Sequence, residues 1–158
     1  MKANVPEGAL LRPYADRADC FTDAYCADVG RPMALDAYLR AFYATWAFAP
    51  EKLLLRLALR RPAQVFEVGP LALGEADCFA AWDVEARTKD EVLLVDLGGR
   101  TRSWFKVDGS TVYFGSAVVP PTPGADLGLL FKSLLGFHKV YSRVLLGATV
   151  RKLKGVVG

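Results

Sequence analysis

The middle of the chain alternates between apolar and polar residues, which is typical of half-buried β-strands. Between residues 77 and 88, for example, Trp82 and Val84 alternate with Asp83 and Glu85. The predicted strands are 77–88, 91–97, 100–107 and 110–119, and the turns between them are Lys89-Asp90, Gly98-Gly99 and Asp108-Gly109. Because the turns are short, neighbouring strands run in opposite directions, and the pattern predicts an antiparallel meander.

Before the meander, the apolar residues follow other spacings. A loose apolar run over residues 19–29 predicts one more strand. From Ala34 onwards, Leu35, Leu39 and Phe42 recur at helical spacing. Pro50 fits the first position of a second helix, which Arg61-Pro62 closes.

The last part of the chain predicts one long helix over residues 126–153. Asp126 can cap its amino terminus. The predicted apolar stripe includes Phe137, Tyr141 and Val144, with Lys139 on the polar side. A helix of this length has one apolar face to bury, and the meander is the nearest surface for it.

Composition limits the class of protein. The chain has 158 residues, of which 53% are hydrophobic and 23% charged, so it is long enough to bury a core and too apolar to be disordered. We predict a single domain over residues 1–158, with residues 1–18 and 155–158 loosely ordered.

The net charge of +3 is unevenly distributed. All seventeen acidic residues lie at or before Asp126, and six basic residues follow it. Six charges over 32 residues are sparse compared with a dedicated basic cluster, so they favour a solvated helix face. We therefore expect no nucleic-acid partner, and a membrane surface is the less favoured alternative. The sequence does not indicate an oligomeric state.

Cysteine and histidine are too few for a metal site. Cys20, Cys26 and Cys78 have no metal-binding spacing, and His138 is the only histidine. Glycine-rich phosphate motifs are missing as well. We expect neither a cofactor nor a metal. Free thiols and an amino terminus without an apolar leader predict a cytoplasmic protein.

This order of elements is an α+β plan in which a curved antiparallel sheet wraps around the C-terminal helix. The segments Phe79-Ala80-Ala81-Trp82, Thr101-Arg102-Ser103-Trp104 and Phe114-Gly115-Ser116-Ala117-Val118 resemble a bacterial family of unknown function in the START and birch-pollen-allergen-like superfamily, the helix-grip proteins. The resemblance implies a single helix-grip domain, with two short helices near its start. It also implies a cavity between sheet and helix for an apolar or amphipathic small molecule, but no particular reaction.

Two strand registers are open at Gly98-Gly99. A two-residue turn pairs Val95 with Arg102 and places Arg102 on the face of Trp82. A three-residue loop pairs Leu97 with Thr101 and places Arg102 on the opposite face. We prefer the second register, because burying an unpaired guanidinium costs several kcal/mol.

The preferred register gives the candidate ligand-binding residues. They are Trp82, Thr101, Ser103, Phe105, Phe114 and Ser116 on the sheet, with Tyr141 on the helix. The three hydroxyl groups on the sheet can orient one polar end of an apolar ligand. Alternatively, they satisfy each other or the backbone in an ordinary core.

Two further residues are candidates for polar chemistry. Arg102 can bind a carboxylate or phosphate if it faces the cavity, although a surface arginine near Trp104 is the favoured interpretation. His138 can act as an acid or base, although a partly buried helix histidine without a role is more common. Asp83 and Glu85 are interpreted as part of a charged outer face.

Three functions remain open at this point. The favoured one is a protein that binds or carries a hydrophobic or amphipathic small molecule, lipid-like or polyketide-like. The second is a cyclase, hydratase or isomerase that uses the same cavity with His138 or Arg102. The third is an interaction module that uses the basic helix stripes. The sequence does not settle whether the protein is an enzyme.

Overall fold

A computed structural model of the chain describes residues 1–45, 68–79, 82–120 and 129–155, with the side chains of 129–141 excluded. The predicted helix beginning at Pro50 lies outside these residues, as do Ala80 and Ala81.

The described residues form four helices and six strands. The helices are α1 (Arg12–Ala15), α2 (Leu35–Tyr43), α3 (Val68–Leu73) and α4 (Leu129–Gly155). The strands are β1 (Phe21–Asp28), β2 (Cys78–Phe79), β3 (Trp82–Arg87), β4 (Glu91–Asp96), β5 (Thr101–Asp108) and β6 (Thr111–Val118). The predicted strand over 77–88 is thus divided into β2 and β3, whereas α1 and α3 have no counterpart among the predicted elements.

All six strands belong to one antiparallel sheet with the order β1-β6-β5-β4-β3-β2. The predicted α+β class is confirmed. Helices α2, α3 and α4 pack on one face of the sheet, which we call the inner face. Its core joins Tyr38 and Phe42 of α2 to Phe105 and Phe114 of the sheet, and Leu145 of α4 belongs to the same cluster.

The opposite, outer face of the sheet is covered by the amino-terminal segment. Leu11 is fully buried there against Trp104 and Leu93, in a cluster that also contains Ala9 and Ala117. Gly115 makes this approach possible, because a Cβ at that position would lie 2.8 Å from both Leu11 Cδ2 and Trp104 Cε3. Residues 1–18 therefore have a defined place in the fold, which the sequence pattern does not reveal.

Glu91 holds the amino-terminal segment to the sheet. Its buried carboxylate accepts hydrogen bonds from the Leu10 backbone N–H at 2.9 Å, the Trp104 indole at 2.9 Å and the Lys106 ammonium at 2.7 Å. Burial alone raises the pKa of Glu91, but these three donors outweigh burial, so its pKa lies below the ordinary value of 4.5.

The low pKa of Glu91 predicts a specific loss of stability in acid. A carboxylate whose pKa is depressed by folding stabilises the protein above its unfolded pKa, and this stabilisation is lost as the pH falls through the folded pKa. We expect the free energy of unfolding to fall below about pH 4.5, with a slope from this group of at most about 1.4 kcal/mol per pH unit. Urea unfolding of the wild type and Glu91→Gln between pH 3 and 7 measures this contribution. An unchanged pH profile in the variant would contradict the assignment.

The register of the meander differs from the predicted one. Val95 pairs with Arg102, as in the alternative that was not preferred, so the preferred pairing of Leu97 with Thr101 is wrong. The loop is wider than either alternative, because the Asp96 carboxylate accepts hydrogen bonds from the backbone N–H groups of Arg100 and Thr101.

The residues predicted for the inner face of β5 and β6 nevertheless lie on that face. A β-bulge in β3 shifts its pairing with β4 by one residue, and this shift offsets the one-residue difference in the pairing of β4 with β5. Val84 pairs with Leu94, but Ala86 pairs with Leu93, so β3 has one residue more than its partner at Glu85. Such a residue reverses the alternation of the strand. Trp82 therefore shares the inner face with Leu94 and not with Val95.

The same bulge changes the face of the residues at the end of β3. Strict alternation from Asp83 and Glu85 would place Arg87 on the charged outer face with them. Instead, its guanidinium donates hydrogen bonds to the carbonyl oxygens of Leu71 and Ala72 at 2.6 and 2.7 Å. Arg87 thereby satisfies carbonyl groups at the end of α3 on the inner side.

Helix α4 is rotated relative to its predicted stripe. Val144 is 37% exposed, whereas Ser142, Leu145, Thr149 and Leu153 are all at most 5% exposed. The last half of α4 packs against Tyr25 of β1 and against α2. In the described part of the chain, no helix has the length and apolar character needed to cross a membrane.

Candidate functional site

A partly enclosed cavity of about 240 Å³ lies between the inner face of the sheet, α2 and α4. Strands β3, β5 and β6 form its base, and the two helices form its sides. Its lining includes Phe42, Tyr43, Trp82, Thr101, Ser103, Phe105, Phe114, Ser116, Val118, Ser142 and Leu145. Most of this surface is apolar, and the polar groups are chiefly hydroxyls.

The pairing of β5 with β6 brings the cavity residues together. Ser103 pairs with Ser116, Phe105 with Phe114, and Thr101 with Val118. Directly paired residues point to the same face of a sheet, and residues two apart along a strand do so as well. The two aromatic side chains and the hydroxyls therefore form adjacent rows on one surface.

The apolar end of the cavity is rigidly packed. Phe105 is fully buried, and its ring lies 4.7 Å from the Phe42 ring and 5.2 Å from the Phe114 ring, measured between centroids. Tyr38 packs against the same ring at 5.8 Å, and its hydroxyl donates a hydrogen bond to the Tyr113 carbonyl oxygen at 3.0 Å. These aromatic contacts fix the wall against which an apolar ligand would lie.

The polar end of the cavity contains a buried carboxylate. The Ser116 hydroxyl donates a hydrogen bond to Asp23 Oδ1 across the β1–β6 ladder. Asp23 is 5% exposed, and its second oxygen, Oδ2, is buried without a hydrogen-bond partner among the described residues. The Asp23 carboxyl group therefore lies next to Ser116 at the cavity wall.

Ser142 adds a second hydroxyl from α4. The residue is 1% exposed, and within the described part of the chain its Oγ makes no hydrogen bond. Buried hydroxyls are usually paired, because leaving one without a partner costs about 1–3 kcal/mol. An unsatisfied hydroxyl at a cavity wall marks a position where a ligand or water can bind.

Asp23 also borders a second, smaller depression of about 180 Å³. The other residues around it include Lys2, Tyr25 and Arg143. Burial and the charge of Asp23 raise the pKa of Tyr25, while Arg143, whose guanidinium lies 5.5 Å from the ring centroid, opposes the shift. Lys2 and Arg143 are thus basic residues at the border of this second depression.

Six predicted binding residues lie around the cavity, namely Trp82, Thr101, Ser103, Phe105, Phe114 and Ser116. The wrong prediction of the β4–β5 register does not change the face on which they lie, because the bulge at Glu85 offsets it. Their role in binding a ligand stays a prediction.

The guanidinium of Arg102 lies on the outer face, in agreement with the favoured interpretation as a surface arginine, and a role of this residue in binding a ligand stays a prediction. Arg102 borders the cavity, but its side chain extends to the outer face, where it pairs with Glu85 Oε2 at 3.0 Å and lies 4.8 Å from the centre of the Tyr14 ring. The Tyr14 hydroxyl also bonds to Glu85. Burial and this hydrogen bond raise the pKa of Tyr14. The bulge presents Glu85 to Arg102, so the arginine has its counterion outside the cavity.

His138 and Tyr141 belong to α4, but their side chains lie outside the described residues. The structure therefore does not place either group relative to the cavity.

Asp23 and Ser142 were not among the predicted site residues. Asp23 stands two positions from both Phe21 and Tyr25, so an acid interrupts an otherwise apolar strand face. That signal was available in the sequence. Ser142 could be found only from the true rotation of α4, because the predicted stripe passed through Tyr141 and Val144.

Comparison of the chain with protein-family models, with curated proteins and with solved structures finds no match.

Proposed function

We propose that this protein binds a small, mainly apolar molecule in the cavity between the sheet, α2 and α4. The observation that carries the proposal is the cavity itself, about 240 Å³ with aromatic walls and a few hydroxyls. Binding sites for small molecules commonly combine apolar walls with a few polar groups that orient the ligand.

The volume limits the size of the ligand. An apolar protein cavity of about 150 Å³ accepts benzene, so a cavity of 240 Å³ accommodates about ten non-hydrogen atoms by proportion. This favours a single substituted ring or a short chain, at the small end of the lipid-like and polyketide-like molecules.

We also propose that the fold is of the helix-grip type. A single antiparallel sheet, a C-terminal helix against it and a cavity between them support this interpretation. The three cysteines are all unpaired, which favours a reducing compartment and, as we propose, the cytoplasm.

An enzyme that uses the same cavity is a weaker proposal. Its predicted electrostatic group, Arg102, is engaged by Glu85 on the outer face. The buried Asp23–Ser116 pair is the remaining polar constellation of the described residues at this site. A serine–carboxyl hydrogen bond is by itself a recognition element and not a catalytic constellation, so the pair favours binding of a ligand over turnover.

Ligand binding can be tested with propylbenzene, an apolar probe of suitable size, and a variant that fills the cavity. We expect propylbenzene to raise the melting temperature of the wild type, because a ligand that binds only the folded state stabilises it. Ser103→Leu should weaken binding by about tenfold or more, since its side chain occupies the cavity. Calorimetric titration measures both affinities.

Ser103→Ala is the matched control, because it removes the same hydroxyl but leaves the space. It should bind propylbenzene at least as well as the wild type. Equal binding by Ser103→Leu and Ser103→Ala, or no binding by the wild type, would contradict the proposal.

A further inference from the structure

We infer that the ligand of this cavity is an apolar molecule with one hydroxyl or carbonyl group, and that the Ser142 hydroxyl binds this group. The inference rests on the proposed function and names the polar contact within that site. It follows from the position of Ser142 on α4 and from the state of its side chain.

Ser142 lies on the buried stripe of α4, which packs against α2 and the sheet. Leu145, Thr149 and Leu153 follow it at helical spacing, and all four residues are at most 5% exposed. Of the described residues of α4, Ser142 and Leu145 line the cavity. The Ser142 side chain therefore lies where this helix meets the space available to a ligand.

The Ser142 hydroxyl is buried without a hydrogen-bond partner. The residue is 1% exposed, and its Oγ makes no hydrogen bond within the described part of the chain. Thr149 on the same stripe shows the usual solution, because its hydroxyl donates to the carbonyl oxygen of Leu145, four residues earlier, at 2.8 Å. Ser142 makes no such bond, and a buried hydroxyl in this state destabilises the folded protein.

A partner for the Ser142 hydroxyl has to come from the cavity. A hydroxyl can donate and accept, so a ligand hydroxyl or carbonyl oxygen would satisfy it. A hydrocarbon can fill the same space but leaves the Ser142 hydroxyl unpaired. A residue that lowers the stability of the free protein and is repaid only by a ligand is typical of a functional site.

A pair of isosteric ligands tests the inference on the full chain. The probes are 4-ethylphenol and 4-ethyltoluene, which differ only by a hydroxyl in place of a methyl group. We expect Ser142→Ala to weaken binding of 4-ethylphenol about fivefold or more and to change binding of 4-ethyltoluene by less than about twofold. Isothermal titration calorimetry gives the four affinities. Because each ligand is compared with itself, its own cost of leaving water cancels.

Thr149→Val is the matched control. It removes a fully buried hydroxyl from the same helix, at a position outside the described lining of the cavity. It should change neither affinity by more than about twofold.

The stability of the ligand-free protein is a second readout. Ser142→Ala should be at least as stable as the wild type in urea, because the hydroxyl has no partner to lose. A hydroxyl with a purely structural role would make the variant less stable, and that result would contradict the inference.

The outcomes separate this inference from the proposed function. If neither probe binds the wild type, the cavity is not a ligand site and both proposals fail. If Ser142→Ala weakens both probes by the same factor or weakens neither, the ligand's oxygen is not bound by Ser142, and only the inference is overturned. Binding of 4-ethyltoluene alone would overturn it as well.

Discussion

Phe105→Ala is expected to lower the free energy of unfolding by about 4 kcal/mol, the loss typical of deleting a fully buried phenylalanine. Phe105 is inaccessible to solvent, and its ring contacts those of Tyr38, Phe42 and Phe114. The substitution removes apolar surface from the core and leaves a void beside an existing cavity. Because the surrounding rings come from α2 as well as the sheet, a local collapse cannot close that void fully. Urea unfolding monitored by circular dichroism measures the change.

Two comparisons make the result for Phe105 interpretable. Phe105→Leu retains most of the side-chain volume and should cost less than half as much. Leu97→Ala changes a residue that is 47% exposed and should change stability by less than about 0.5 kcal/mol. If Phe105→Ala were no more harmful than Leu97→Ala, the packing of α2 on the sheet would be incorrectly described.

Glu91→Ala is expected to lower the free energy of unfolding by about 3 kcal/mol, because it removes the acceptor for three donors at once. The Leu10 backbone N–H and the Trp104 indole N–H would both remain in a buried region without their partner. The Lys106 ammonium would also lose its counterion. Chemical denaturation at pH 7 measures the effect.

Neighbouring variants test whether the loss comes from the buried contacts. Asp90→Ala removes an exposed carboxylate next to Glu91 and should have little effect. Glu91→Gln retains one side-chain acceptor and should lose less stability than Glu91→Ala. The amide protons near Leu10 should also exchange faster in Glu91→Ala, since Glu91 holds this segment to the sheet. Unchanged exchange there would contradict the role assigned to Glu91.

The sheet was the part of the fold that the sequence predicted best. Alternating residues and glycine-containing turns are local signals, and they predicted the bounds of β4, β5 and β6 to within one residue, whereas the predicted strand 77–88 is divided into β2 and β3. The register was harder, because it depends on a single extra residue at Glu85 and on the hydrogen bonds of Asp96. Neither changes the local alternation enough to be noticed without the partner strand.

The packing of the amino-terminal segment could not be predicted from local patterns. Residues 1–18 contain only one short helix, and their burial depends on contacts with residues far along the chain, such as that of Leu11 with Trp104 and that of Leu10 with Glu91. No periodicity within the segment indicates these contacts. The same applies to Ser142, which is buried because of how α4 is rotated against β1 and α2.

The sequence predicted most of the sheet residues that line the cavity, but it did not predict the buried polar groups Asp23 and Ser142. Strand alternation placed the aromatic residues and three hydroxyls on one face. The buried Asp23, which accepts a hydrogen bond from Ser116, was not among the predicted site residues. Arg102 was a conditional anchor, and its pairing with Glu85 on the outer face agrees with the favoured interpretation as a surface arginine.

A bromine-labelled ligand offers the most direct measurement of the central claim. Anomalous diffraction from crystals of the protein with 4-bromophenol locates the bromine atom without reference to any expected binding mode. We predict one bromine peak inside the cavity, near the Phe105 and Phe114 rings, with the ligand hydroxyl directed to Ser142. A peak only in the outer groove bounded by Tyr14 and Leu93, or no peak at saturating ligand, would contradict the assignment of this cavity as the binding site.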